Sequence, residues 1–223
     1  MRKKGWRDLM AKTEDLQAMI DWLETRAALY ELLADCFLEQ PRTQFKTTGL
    51  SLDLQTGRLL EELEKSLQNV NLYSLVIEDY RRLFQPDSPA YLRPYESYYH
   101  EQYRFRSKRL AGQQAEQELE FFYRHAGLEM KTLYSEKADH AGVELAFMKG
   151  LVAKEIQVRQ SGQLALVHCY TQWQRQFLEN HLAQWFGELN RQLGSEAGTD
   201  FYRILAKLAW HFVRTDYQIL NKD

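Results

Sequence analysis

Proline is scarce in this 223-residue chain, and its four copies are unevenly placed. Pro41 stands alone, Pro86, Pro89 and Pro94 cluster, and none follows residue 94. Most of the chain can therefore run as helix without the missing N–H and ring clash that proline brings. Cysteine is scarcer still: Cys36 and Cys169 are far apart and lack C-x-x-C spacing. That pattern points away from a disulfide framework or a cysteine-built metal site, and both thiols are expected buried and reduced. Neither sign of charge dominates, with 29 Lys+Arg against 31 Asp+Glu and a net charge of −2. A groove that tracks phosphates needs clustered cations, so nucleic acid is not an expected partner.

No stretch approaches the ~18 apolar residues that a membrane-spanning helix requires. The opening Met1-Arg-Lys-Lys-Gly-Trp run is basic, but Asp8, Lys12, Glu14 and Asp15 interrupt any apolar core behind it. Neither a secretory nor a twin-arginine signal is expected there, and the chain is expected to stay in the cytoplasm. Catalytic signatures are missing as well: there is no GxxxxGK[ST], GxGxxG after a strand, GxSxG or HExxH. No cofactor is expected, and a binding protein is favoured over an enzyme.

What is present is helix. Hydrophobic residues make up 44% and aromatics 13%, too much for disorder. Apolar residues recur with a 3.6 period almost throughout. Helices are expected over 14–37, 58–68, 73–84, 115–125, 138–160, 164–189 and 199–219. The stretch 42–57 is expected as loop, and 97–110 is ambiguous. Gly127 and Ser161-Gly162 stand where helices should close. Trp173, Trp185 and Trp210 are read as packing residues. No repeat or linker divides the chain, so residues 1–223 are expected to form one all-α helical bundle with a hinge at 85–97.

Two segments carry candidate chemistry. The first runs from Tyr80 through Phe84, Pro86, Pro89 and Pro94 to Tyr95, Glu96, Ser97, Tyr98 and Tyr99. Three prolines hold an extended loop studded with tyrosines, which suits either a crossover between helix groups or a peptide-binding surface. The second is Asp139-His140 followed by Glu144-Leu145-Ala146-Phe147-Met148. His140 and Glu144 fall one helical turn apart, with Asp139 at the favourable N-terminal end. This pattern fits a capped helix start with a His–Glu contact, a metal site or hydrolase centre, or an acidic clamp for a basic peptide.

In this order the segments resemble the TorD/DmsD/NarJ family of redox-enzyme maturation chaperones. The resemblance rests on Tyr80, Leu83-Phe84, Pro86, Pro94-Tyr95-Glu96-Ser97-Tyr98-Tyr99, and Asp139-His140 with Glu144 to Met148. Ala28-Leu29-Tyr30, the Phe177 to Trp185 stretch, Phe201-Tyr202 and Asp216 extend it. One departure is Gln85, where the family carries glycine. The resemblance implies an all-helical chaperone that binds the twin-arginine signal peptide and apo catalytic subunit of a molybdopterin oxidoreductase. It would hold that client until cofactor insertion and then allow export. On this reading Asp139, Glu144 and Glu96 face the peptide's arginines. Tyr80, Phe84, Pro86, Pro94, Tyr95 and Tyr99 line an apolar side, and His140 orients the contact. A monomer and a domain-swapped dimer are both compatible with such a chain.

Overall fold

The computed structural model describes the backbone of residues 2–41, 50, 52–68, 70–103, 113–130 and 134–222. Side chains are described over 15–41, 50, 52–68, 72–100, 116–130 and 134–222. Helices α1 (Arg2–Leu38), α2 (Leu54–Lys65), α3 (Val70–Phe84) and α4 (Glu96–Tyr103) come first. Then follow α5 (Gln113–His125), α6 (Ala141–Gln160), α7 (Leu164–Asn180), α8 (Leu182–Glu196) and α9 (Asp200–Leu220). Among the described residues there is no strand, only an isolated bridge between Tyr95 and His140. The expected all-α class is what forms. No helix among these residues is long and apolar enough to cross a membrane.

Helix α6 is the axis of the bundle. Every residue from Ala141 to Met148 is buried, as a helix must be when it is apolar on all sides. Its broadest packing is against α1, and α7 covers a second flank. Gly142 allows the close approach to α1: a Cβ there would run into Leu38 Cγ and lie 3.1 Å from the Ala34 carbonyl. The last helix buries Phe201, Leu205, Leu208, Phe212 and Val213 against the same core. Each such large side chain contributes about 1.5–3 kcal/mol relative to exposure.

Several boundaries differ from the sequence reading. Helix α1 begins at Arg2 rather than at residue 14, with no proline to stop it before Pro41. Helix α2 begins at Leu54 because Asp53 caps it, its Oδ1 accepting the Gln55 and Thr56 N–H groups at 2.8 Å each. Helix α6 starts after His140, whose Nδ1 accepts the Gly142 N–H at 3.1 Å. The single helix expected over 164–189 is two, broken at His181, where φ is −129° and ψ −97°. Neither glycine nor proline marks that break. Cys36 is buried as expected, but Cys169 is exposed, like most of residues 164–169 in the first half of α7. Parts of the 42–57 and 97–110 stretches lie outside the described residues.

A buried polar network clasps four helices. Arg26 of α1 donates from Nε and a terminal nitrogen to the two carboxylate oxygens of Asp216 in α9, at 2.6 and 2.8 Å. The same guanidinium donates to Gln174 of α7 at 2.9 Å, and Gln174 donates onward to Glu155 of α6 at 2.7 Å. The Tyr30 hydroxyl adds a 2.7 Å bond to Asp216. Burial works against the Arg26 charge, but the Asp216 carboxylate outweighs it and raises the guanidinium's pKa.

Candidate functional site

The proline segment is a compact turn stitched to the bundle at both ends. Helix α3 ends at Phe84, and the Leu92 N–H returns to the Leu83 carbonyl at 2.8 Å. Within the turn, Ser88 N–H bonds Gln85 O and Tyr91 N–H bonds Ser88 O, at 3.0 and 3.1 Å. Beyond it, Ala141 N–H donates to Pro94 O at 2.8 Å and Glu96 N–H to Asp139 O at 2.9 Å. The Tyr95 and His140 rings meet edge to face, 5.2 Å between centroids. The two segments singled out in the sequence are thus a single structural unit.

Asp139 is the first clasp. Its Oδ2 accepts the Ser97 N–H at 3.2 Å and the Ser97 hydroxyl at 2.6 Å. A carboxylate is favoured there because it meets the N-terminal end of α4. Glu96 is the second. Its Oε1 lies 2.8 Å from Nε2 of His100, one turn along α4, and its Oε2 3.1 Å from Nδ1 of His181. Burial would raise the Glu96 pKa, but bonds to His100 and His181 outweigh it and hold the carboxyl below its ordinary value. Glu144, fully buried, accepts from Trp185 Nε1 at 3.3 Å. Burial first, then the charges of Glu96 and Asp139, push Glu144 well above the usual carboxylate range. Burial also pushes His140 down to about 4, in keeping with a neutral ring whose Nδ1 accepts a backbone N–H.

Two carboxylate oxygens in this cluster, Asp139 Oδ1 and Glu144 Oε1, are buried without a hydrogen-bond partner. Such acceptors are uncommon in folded proteins. They mark where the interior carries unspent hydrogen-bonding capacity.

In this structure the acidic residues of the expected clamp are covered. Glu96, Asp139, His140 and Glu144 are each at most 4% exposed, so no arginine reaches them while the Pro94–Asp139 clasp is closed. Tyr99 is buried too, stacked on Trp185 with centroids 5.3 Å apart. Pro94 is also inside. Solvent reaches Pro86 and part of Tyr80, Phe84 and Tyr95. The Tyr80 hydroxyl donates to Leu38 O at 3.3 Å, and Tyr95 donates to Glu136 at 3.0 Å. His140 and Glu144 do not pair with each other through their side chains: one bonds Gly142, the other Trp185. Among the described residues no three His, Cys, Asp or Glu side chains converge on a point that could hold a metal ion.

With this geometry in place, the comparisons with known proteins bear directly on it. The family model described as "Nitrate reductase delta subunit" matches residues 50–191, a span that contains the whole clasp. The chain belongs to this family. Within it, the chain is similar to a perchlorate reductase assembly chaperone protein of Dechloromonas aromatica, 35% identical over 96 residues. That match spans 43% of this chain and 42% of the relative, under half the length of each. It is also similar to the chaperone protein TorD of Vibrio cholerae, 26% identical over 172 residues, which cover 77% of this chain and 74% of the relative. These relatives carry the names of chaperones, not of catalytic enzymes. No solved structure gives a significant match.

This family member also uses residues that the sequence reading left in the background. His181 stood in an apolar stripe at i, i+4 spacing, and its polarity in that stripe was the available signal. His100, Ser97 and Trp185 complete the clasp: His100 pairs with Glu96 one turn away in α4, whereas Ser97 and Trp185 act on Asp139 and Glu144 from distant segments.

Proposed function

We propose that this protein is a cytoplasmic chaperone for a molybdopterin oxidoreductase. It binds the twin-arginine signal peptide of the apo catalytic subunit and holds that subunit until its cofactor is inserted. The observation that carries the reading is the unpartnered buried Asp139 Oδ1, next to His140, whose ring meets the half-buried Tyr95. A signal peptide supplies what this arrangement lacks. Its guanidinium groups are donors for carboxylate oxygens, and its apolar stretch suits tyrosine faces beside Pro86. Release of the Pro94–Asp139 clasp is the step that would bring the two sides together. Family membership and the chaperone names of the relatives support the same reading.

Calorimetric titration with twin-arginine leader peptides tests it. The expected result is saturable binding that weakens with salt and falls on Tyr95→Ala and on Asp139→Ala. Affinity unchanged in both variants would remove these residues from the site, and no binding to any leader would defeat the function.

A further inference from the structure

A groove of about 700 Å³ runs between α8 and α9, within the size range of specific ligand sites. Helix α8 contributes Gly187, Asn190, Arg191 and Gly194, and α9 contributes Arg203, Ala206, Lys207 and Trp210. Both sets follow i, i+3, i+4, i+7 spacing, so each is one helix face. The opposite face of α8 carries Trp185 and Gln192 toward Tyr99. The groove is therefore separated from the proline clasp by the thickness of one helix.

Its two ends differ. At one end Trp210 lies against Gly187, where an added Cβ would come within 3.0 Å of the indole. At the other, Gly194 has room, since a Cβ would meet only Ala206 Cβ at 3.7 Å. Between and beyond them stand Arg191, Arg203 and Lys207, and no acidic side chain lines the groove. Arg191 pairs with Glu188 and Arg203 with Asp200, each at 2.6 Å; the arginine side chains are 65% and 44% exposed, Glu188 17% and Asp200 80%. The Arg203–Asp200 pair, exposed on both sides, is easily exchanged for another anion. Asn190 is the buried polar residue of the lining, 3% exposed. Its Nδ2 donates to Phe186 O at 2.8 Å, and its Oδ1 has no partner.

We infer that this groove is a second docking site for the client polypeptide, taking a short extended segment with an apolar residue followed by acidic ones. The apolar residue packs on Trp210, and the carboxylates meet Lys207, Arg203 and Arg191. Seven residues of α8 span about 10.5 Å. That length matches about three residues of extended chain. The charge required is opposite to that of a basic leader, so the two sites read different parts of a client. The inference rests on the client-binding function proposed above.

The test uses the full chain and a fluorescein-labelled peptide of sequence ALEEDA, with ALKKKA as its charge-reversed control. Anisotropy should show saturable, salt-sensitive binding of the acidic peptide alone. Lys207→Glu and Gly194→Leu should each weaken it by about five-fold or more. Thermal melts confirm that each variant is folded, and the same variants should bind a twin-arginine leader as the parent does. The inference is overturned by equal binding of both peptides, by no saturation, or by indifference to both Lys207→Glu and Gly194→Leu. Competition by tripolyphosphate at equal concentration would assign the groove to phosphate anions instead. Self-association abolished by Gly194→Leu would assign it to a second copy of the chain. Loss of leader binding in these variants would merge the two sites. If the parent binds no leader at all, the chaperone function fails while the ALEEDA titration still decides the groove.

Discussion

Nδ1 of His181 lies 3.1 Å from Oε2 of Glu96, although the two residues are 85 apart in sequence. The contact ties the break between α7 and α8 to the first turn of α4. It thereby couples the proline segment to the far half of the bundle. Breaking it leaves the buried Glu96 carboxylate with His100 as its remaining side-chain partner.

Glu96→Ala and His181→Ala are each expected to lower the unfolding free energy by about 2–4 kcal/mol. Urea denaturation of both single variants and the double variant should give a coupling of about 1–3 kcal/mol. Additive effects would mean that the pair contributes nothing beyond its separate packing.

Arg26 and Asp216 are both fully buried. Arg26→Met or Asp216→Asn alone should cost about 3–5 kcal/mol, since each leaves an unpaired group inside. The double variant Arg26→Met/Asp216→Leu should cost less than either, because no charge is then stranded. Guanidinium denaturation midpoints decide the order.

Glu144 is held well above its ordinary carboxylate pKa by burial and by the neighbouring Glu96 and Asp139 charges. Folding thus favours its protonated form, and that contribution is complete below the unfolded value of about 4.5 and declines as pH rises. Glu144→Gln cannot ionise. Its melting temperature relative to the parent should climb with pH above about 4.5 and converge with the parent below it.

His140 runs the other way. Burial lowers its pKa from 6.5 to about 4, so the native state excludes the proton that the unfolded chain takes up. Stability from this group is present above about 6.5 and is lost as pH falls toward about 4, by about 3 kcal/mol in total. His140→Asn keeps a capping acceptor for Gly142 and removes the titration. The variant should gain on the parent as pH falls through that window, measured by urea unfolding at several pH values.

Gly142→Ala and Gly194→Ala should differ in sign. The first drives a methyl group into Leu38 and the Ala34 carbonyl, at an expected cost of about 1–3 kcal/mol. The second meets Ala206 Cβ at an ordinary contact distance of 3.7 Å and relieves a helical glycine, for an expected gain of about 0.5–1 kcal/mol. Paired thermal melts would show the contrast.

Much of the fold was legible in the residues. The stripe through Phe201, Leu205, Leu208 and Phe212 is the buried face of α9, and the step at Phe84 before the prolines is the end of α3. Gly127 takes the left-handed φ of 72° expected where α5 closes. The break at His181 was hidden because the stripe from Phe177 to Leu189 keeps its spacing across it. Both helices bury that side, so periodicity alone could not distinguish one helix from two. The candidate site was found as two motifs, Pro94 to Ser97 and Asp139 to Glu144, but their relation was not visible. Alternating charge and aromatic content reads the same whether a carboxylate faces a peptide or a histidine.

By itself, the sequence determined that the chain is helical, that its few prolines gather at one turn, and that acids and tyrosines flank that turn. Those are local properties, set by side-chain spacing and by backbone restriction. Only the tertiary structure decided that the acids point inward. Burial of Glu96, Asp139 and Glu144 depends on His181, Ser97 and Trp185 arriving from distant helices to share their hydrogen bonds. A charge is tolerated in an interior when such partners converge on it, and convergence is a property of packing.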